Sequence, residues 1–99
     1  RLWGEEAYFD HYPVLSREAV RWIAAQGKKG IGLDTPGIDP AHDEGLALHK
    51  ALLAPGRTLI LENLAHLAAL PQGELLGLVA APLPVRDADG APARVLAFL

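Results

Sequence analysis

Apolar residues along this chain fall into short blocks, each closed by glycine, proline or a turn-forming polar residue. Ala19, Val20, Ile23 and Ala24 recur at the spacing of one helix face, which predicts a helix over about residues 17–26. Ser16 stands where an N-cap belongs, Leu15 and Val20 are placed to meet as a hydrophobic staple, and Gly27 suits the C-terminal end. Gly30-Ile31-Gly32-Leu33 is short, apolar and glycine-bounded, so it reads as an interior strand whose glycines permit close backbone approach. A second helix is expected over about residues 43–53, ending before Pro55-Gly56, with Leu46 and Leu53 toward the core and His49 near its middle. Thr58–Leu61 reads as a buried strand whose C-terminal end delivers Glu62.

Leucines three apart in Asn63–Leu70 suit a short helix stopped by Pro71. Leu75–Ala81 with Val85, and then Ala93–Phe98, read as strands of a terminal hairpin that turns through residues 86–90, where Asp89-Gly90 is a strong turn signal. The first fourteen residues carry Trp3, Tyr8, Phe9, His11 and Tyr12 without a regular period and read as a covering loop. Residues 34–40, Asp-Thr-Pro-Gly-Ile-Asp-Pro, form a rigid loop at the end of the first strand. The order helix, strand, helix, strand, helix, strand, strand places the chain in the α/β class with a mixed sheet.

Composition leads to the expectation that the chain is a piece of something larger. With no methionine among 99 residues, and no signal-peptide character in Arg1-Leu2-Trp3, it is expected to begin mid-protein. A 51% hydrophobic content is high for a body of this size, so the excess apolar surface is expected to meet another chain or a missing portion of the same one. No apolar run approaches the roughly 20 residues of a membrane span, which points to a soluble, cytoplasmic protein. Nine scattered Lys and Arg against twelve Asp and Glu form no basic stripe, which argues against nucleic-acid partners. The absence of cysteine removes disulfides, thiolate nucleophiles and Cys-based zinc sites, leaving His and carboxylates as the only metal ligands.

Candidate chemistry centres on His49 and Glu62, an imidazole and a carboxylate that two adjacent elements aim at one place. Both are metal-ligand types, yet a metal site needs three or four ligands, and a His and a Glu thirteen positions apart are more often a surface pair. Asp34, Thr35 and Asp39 could line a pocket, although turn chemistry favours aspartates bonding nearby backbone N–H groups. His66 would share a helix face with Glu62 if a helix began early, but a lone histidine there reads as solvated; His42 reads as helix-entry polarity and His11 has no visible partner. Arg94 reads as an ion-pair partner of Asp87 or Asp89.

The order of several short words is more specific than any of them singly. Leu15-Ser16-Arg17-Glu18-Ala19 with Trp22-Ile23-Ala24 is followed by Gly30-Ile31-Gly32-Leu33-Asp34-Thr35-Pro36-Gly37-Ile38-Asp39 and His49-Lys50-Ala51-Leu52-Leu53. Leu59-Ile60-Leu61-Glu62-Asn63-Leu64, Pro82-Leu83-Pro84-Val85 and Asp89-Gly90-Ala91-Pro92-Ala93-Arg94-Val95 complete the series. In this the chain resembles the C-terminal half of the cyclase or kynurenine formamidase-like family of metal-dependent hydrolases. The resemblance implies a swivelling three-layer β/β/α fold, of which residues 1–99 would be the C-terminal portion of a single domain, the N-terminal metal-binding portion being absent. It also implies that His49 and Glu62 are metal ligands. The family's His-rich loop, H-x-G-T-H-x-D-x-P-x-H, which supplies the other ligands and a catalytic His, is not in the sequence. The His-to-Glu separation is one residue longer than is common in the family, with Ala54-Pro55-Gly56 as the insertion point.

Two functions are therefore expected. The first is a metal-dependent hydrolase of amide, formamide or lactone-like bonds, of the arylformamidase type known from tryptophan catabolism. Here the chain supplies part of the active site, zinc is the first choice of metal and manganese the second, and no catalytic residue other than the ligands is assigned. Its partners would be the N-terminal half or a companion chain, a second copy in a homo-oligomer, and a small-molecule substrate. The alternative is a non-catalytic assembly or dimerisation module derived from the same family.

Overall fold

The computed structural model describes residues 4–56 and 58–99, so Trp3 of the aromatic segment lies outside the described residues. The chain divides into two units, residues 1–65 and 66–99.

In the first unit, helix α1 spans Arg17–Ala25, strand β1 Gly30–Gly32, helix α2 Ala47–Leu53 and strand β2 Leu59–Leu61. The expected capping of α1 is present: the Ser16 side chain accepts the Ala19 N–H at 3.1 Å, and Gly27 takes φ +65° just past the helix. Ser16→Ala should therefore cost roughly 0.5–2 kcal/mol, read as a lowered denaturation midpoint. Leu15, the other half of the expected staple, is partly buried and packs against the core cluster to which Val20 belongs.

That core is small. Val20, Ile38, Leu48 and Leu52 are buried, with Leu15, Ile23, Ala24, Ile31, Leu33 and Ile60 packed against them. Each fully buried side chain of this kind contributes on the order of 1.5–3 kcal/mol. Strands β1 and β2 pair in parallel, with Gly30 opposite Leu59 and Gly32 opposite Leu61, and α2 makes the crossover between them. Gly32 sits in close approach to Leu64, whose Cδ1 would lie 2.6 Å from a Cβ placed there and would have to move aside.

Helix α2 departs from expectation. It begins at Ala47 instead of near residue 43, since Asp43 spends its carboxylate on the N–H groups of Gly45 and Ala47, and Leu46 turns left-handed at φ 52°. The inward face is therefore Leu48 and Leu52, four apart, while Leu46 and Leu53 are exposed. His49 sits in the first turn and not mid-helix.

The helix expected over 63–70 is only a 3-10 turn, Leu67–Ala69. Asn63 and His66 both adopt positive φ, and the N–H groups of Asn63 and Leu64 bond across to Thr35 and Leu33. The backbone groups a helix would need are already committed, so Glu62 and His66 share no helix face.

In the second unit, β3 (Gly77–Pro82) pairs antiparallel with β4 (Ala93–Phe98), the expected hairpin. Its tight turn lies at Arg86-Asp87, where Asp87 takes φ 56°, while Gly90 is not left-handed. Arg94 forms no ion pair with Asp87 or Asp89 among the described residues. Leu78, Val79, Leu96 and Phe98 are all about half exposed, so neither face of this hairpin is a core face within the unit. No described helix is long and apolar enough to cross a membrane. The fold is thus mixed α/β, with one parallel and one antiparallel pair of strands.

Candidate functional site

The parallel pairing continues past both strands. Leu33 N–H reaches the Leu61 carbonyl, Leu64 N–H the Leu33 carbonyl and Asn63 N–H the Thr35 carbonyl, each at 2.9 Å. This pairing carries Glu62 alongside the loop that leaves β1, at the carboxyl ends of the two strands, where open α/β sheets place their ligands. The same loop leads through Asp39 toward the start of α2, and the three chain segments converge on one imidazole.

His49 Nδ1 lies 2.7 Å from Asp39 Oδ2, and His49 Nε2 lies 2.9 Å from Glu62 Oε1. Asp39 is only 2% exposed, and its carboxylate also accepts the Leu48 N–H at 2.7 Å and the His49 N–H at 2.9 Å. One side chain thereby satisfies two free donors in the first turn of α2 and grips the imidazole that the same turn carries. Burial alone would push the Asp39 carboxyl up, but the two backbone N–H bonds and the bond and charge of His49 together hold it below the ordinary aspartate value. Asp39 stability is then present in full above about pH 4 and is lost as pH falls from there through the lower folded-state value.

With the ring proton on Nδ1, an ionised Asp39 would accept it and the Nε2 lone pair would face the Glu62 carboxylate. The imidazole Nε2 and the Glu62 carboxylate oxygen stand 2.9 Å apart. The donor set fits a metal: one imidazole nitrogen and one carboxylate oxygen, half-exposed, close enough for both to reach a single ion at about 2 Å. Asp39 stands at Nδ1, on the side of the ring away from Glu62. No group of three or more possible ligands is gathered among the described residues.

Of the other loop residues, Thr35 makes the local bond that turn chemistry predicts, while the Asp34 side chain bonds no nearby backbone N–H among the described residues. The Thr35 hydroxyl donates to the Gly37 carbonyl at 3.1 Å, and Asp34 is exposed. Asp39 differs from both, since the backbone it bonds lies nine and ten residues on. The sequence signal that identifies it is a rule about metal-binding histidines, which donate their second ring N–H to a carboxylate; a loop aspartate ahead of the helix that bears the His is where to look.

The aromatic segment does cover this region. The Tyr8 hydroxyl donates to Asn63 Oδ1 at 2.6 Å and lies 3.3 Å from the Asp34 carbonyl, and the Tyr12 hydroxyl donates to the Asp39 carbonyl at 2.6 Å. Burial, then the charges of Glu62 and Asp39, push the Tyr12 phenol above its ordinary value, so it remains a protonated donor at neutral pH.

Comparison with known proteins finds a matching family, curated relatives and a solved structure. A profile of the Cyclase family matches residues 1–40. Kynurenine formamidase of Bacillus cytotoxicus is 37% identical over 87 residues, covering 88% of this chain and 40% of the relative. The Erythrobacter litoralis kynurenine formamidase is 38% identical over 87 residues, covering 88% and 38%, and that of Bordetella pertussis is 34% identical over 89 residues, covering 90% and 41%. A solved structure described as a potential metal-dependent hydrolase with cyclase activity superposes with a TM-score of 0.73 at 36% identity, covering 87% of this chain and 41% of that one. The chain thus spans about 40% of the length of these relatives.

Proposed function

We propose, from the premise that this chain belongs to the Cyclase family, that it is the C-terminal portion of a metal-dependent hydrolase of amide, formamide or lactone-like bonds. In this reading His49 Nε2 and the Glu62 carboxylate are two of the metal's ligands, and the remaining ligands belong to the portion of the protein outside residues 1–99. The carrying observation is the line Asp39–His49–Glu62, with a buried carboxylate 2.7 Å from one ring nitrogen and a second carboxylate 2.9 Å from the other. The relatives' activity supports a formamide of the kynurenine type as substrate. Zinc suits a His and carboxylate donor set, with manganese as the second choice.

When bound, a divalent metal polarises a scissile carbonyl and makes water a usable nucleophile near neutral pH. The chain's own residues hold and orient. Asp39 keeps the Nδ1 proton, α2 fixes the imidazole through its first turn, and the β1–β2 pairing holds Glu62 within reach. The residue that takes the proton from the attacking water is assigned to the portion outside this chain. The half-exposed apolar residues on both faces of β3–β4 support a covering by that portion or by a second copy of the protein.

The reading is tested by adding zinc and a formamide substrate to purified residues 1–99 and, in parallel, to the longer protein. With two protein ligands instead of three or more, residues 1–99 alone should neither turn over nor hold zinc tightly. Robust hydrolysis by the 99 residues alone would overturn the shared-site account.

A further inference from the structure

We propose that Tyr12 is a positioning residue for the metal ligand His49, acting through Asp39. Its hydroxyl holds the main chain of the residue whose carboxylate holds the imidazole. The inference rests on the reading of His49 and Glu62 as ligands.

The geometry is specific. Tyr12 lies 27 positions before Asp39 and donates to its carbonyl at 2.6 Å. Since Asp39 is 2% exposed, water offers little replacement for that donor. The same residue uses Oδ2 on His49 Nδ1, so fixing its carbonyl fixes the origin of the carboxylate that sets the ring. Gly37 leaves room for the phenol: a Cβ there would lie 3.3 Å from the Tyr12 hydroxyl and 3.8 Å from Glu62 Oε1. The Tyr12 hydroxyl and the Glu62 carboxylate thus both border Gly37.

Nearby Phe9, which has no hydroxyl, is 56% exposed, while Tyr8 and Tyr12 are half-buried and bonded through theirs. This segment is anchored by hydroxyl groups more than by burial of its rings. Tyr12→Phe therefore removes the anchor and keeps the ring.

The test is zinc affinity of the full-length protein, measured by competition with a chromophoric chelator. Tyr12→Phe should weaken zinc binding about tenfold, the low end of what loss of an outer partner costs. In the Asp39→Asn background the same change should add less than about twofold, because the carboxylate it positions is gone. Unchanged affinity in Tyr12→Phe, or a full tenfold loss repeated in the Asp39→Asn background, would overturn the proposal. A role in folding alone would lower the thermal midpoint and leave zinc affinity at low temperature untouched. Should Tyr12→Phe fail to fold, Gly37→Ala, which crowds the hydroxyl, is read by the same criteria. His49→Ala, measured alongside, separates the two readings: retained zinc there removes the ligand assignment itself, whereas zinc lost there but not in Tyr12→Phe removes only the role of Tyr12.

Discussion

His49→Ala in the full-length protein is expected to abolish tight metal binding and to lower the hydrolysis rate by orders of magnitude. The imidazole is held on both sides, by Asp39 at 2.7 Å and Glu62 at 2.9 Å, so its removal deletes one proposed ligand and leaves a second facing nothing. An outer partner alone is worth about 10–100-fold in metal affinity, and loss of a direct ligand exceeds that. Glu62→Gln should follow the same direction with a smaller loss, since an amide oxygen still reaches the ion without its charge. Metal analysis after dialysis checks both variants, and full occupancy in both would remove His49 and Glu62 from the site.

Asp39→Asn should have the next largest effect, and it should act on two observables at once. Asparagine retains one acceptor where aspartate supplies two, against three donors: the Leu48 N–H, the His49 N–H and the imidazole. At least one buried donor is left short, at about 1–3 kcal/mol, and the imidazole loses the partner that selects its tautomer. Metal affinity should fall roughly 10–100-fold. The wild-type carboxyl lies below its ordinary value, so its contribution is present above about pH 4 and lost at lower pH. The stability difference between wild type and Asp39→Asn should accordingly be widest above pH 4 and narrow as the acid is added. A difference that stays constant down to pH 2 would mean that Asp39 does not carry the charge assigned to it.

How far the sequence discloses this arrangement depends on whether local or distant contacts decide each element. Helix α1 is legible because its cap, staple and terminal glycine are all within a dozen residues. The end of β2 at Glu62 is legible for the same reason, since a short apolar run ends there. The start of α2 is not, because Asp43 caps two N–H groups ahead of the helix and delays it to Ala47. Asn63–Leu70 misleads for a different reason: its leucine spacing suits a helix, but the N–H groups of Asn63 and Leu64 are claimed by strand-like partners some thirty residues earlier. The hairpin was readable in its strands and not in its turn, which Asp87 makes in place of Asp89-Gly90.

At the site, residue chemistry and order along the chain point to His49 and Glu62, and the fold brings them together. Asp39 and Tyr12 escape such a reading because each acts across a long separation. An aspartate in a Pro- and Gly-rich loop has an ordinary local explanation, and only the tertiary placement of the α2 first turn beside it makes it the partner of an imidazole. A tyrosine in an irregular aromatic segment carries no periodic signal at all. The hydroxyl that reaches the Asp39 carbonyl becomes visible only once the loop and the segment share the same corner of the first unit.

The most direct test is a crystal structure of the full-length protein grown with zinc, with anomalous data collected across the zinc edge. The account predicts an anomalous peak bonded to His49 Nε2 and a Glu62 carboxylate oxygen at about 2.0–2.2 Å, with Asp39 still on Nδ1. A zinc site that includes neither His49 nor Glu62 would contradict it.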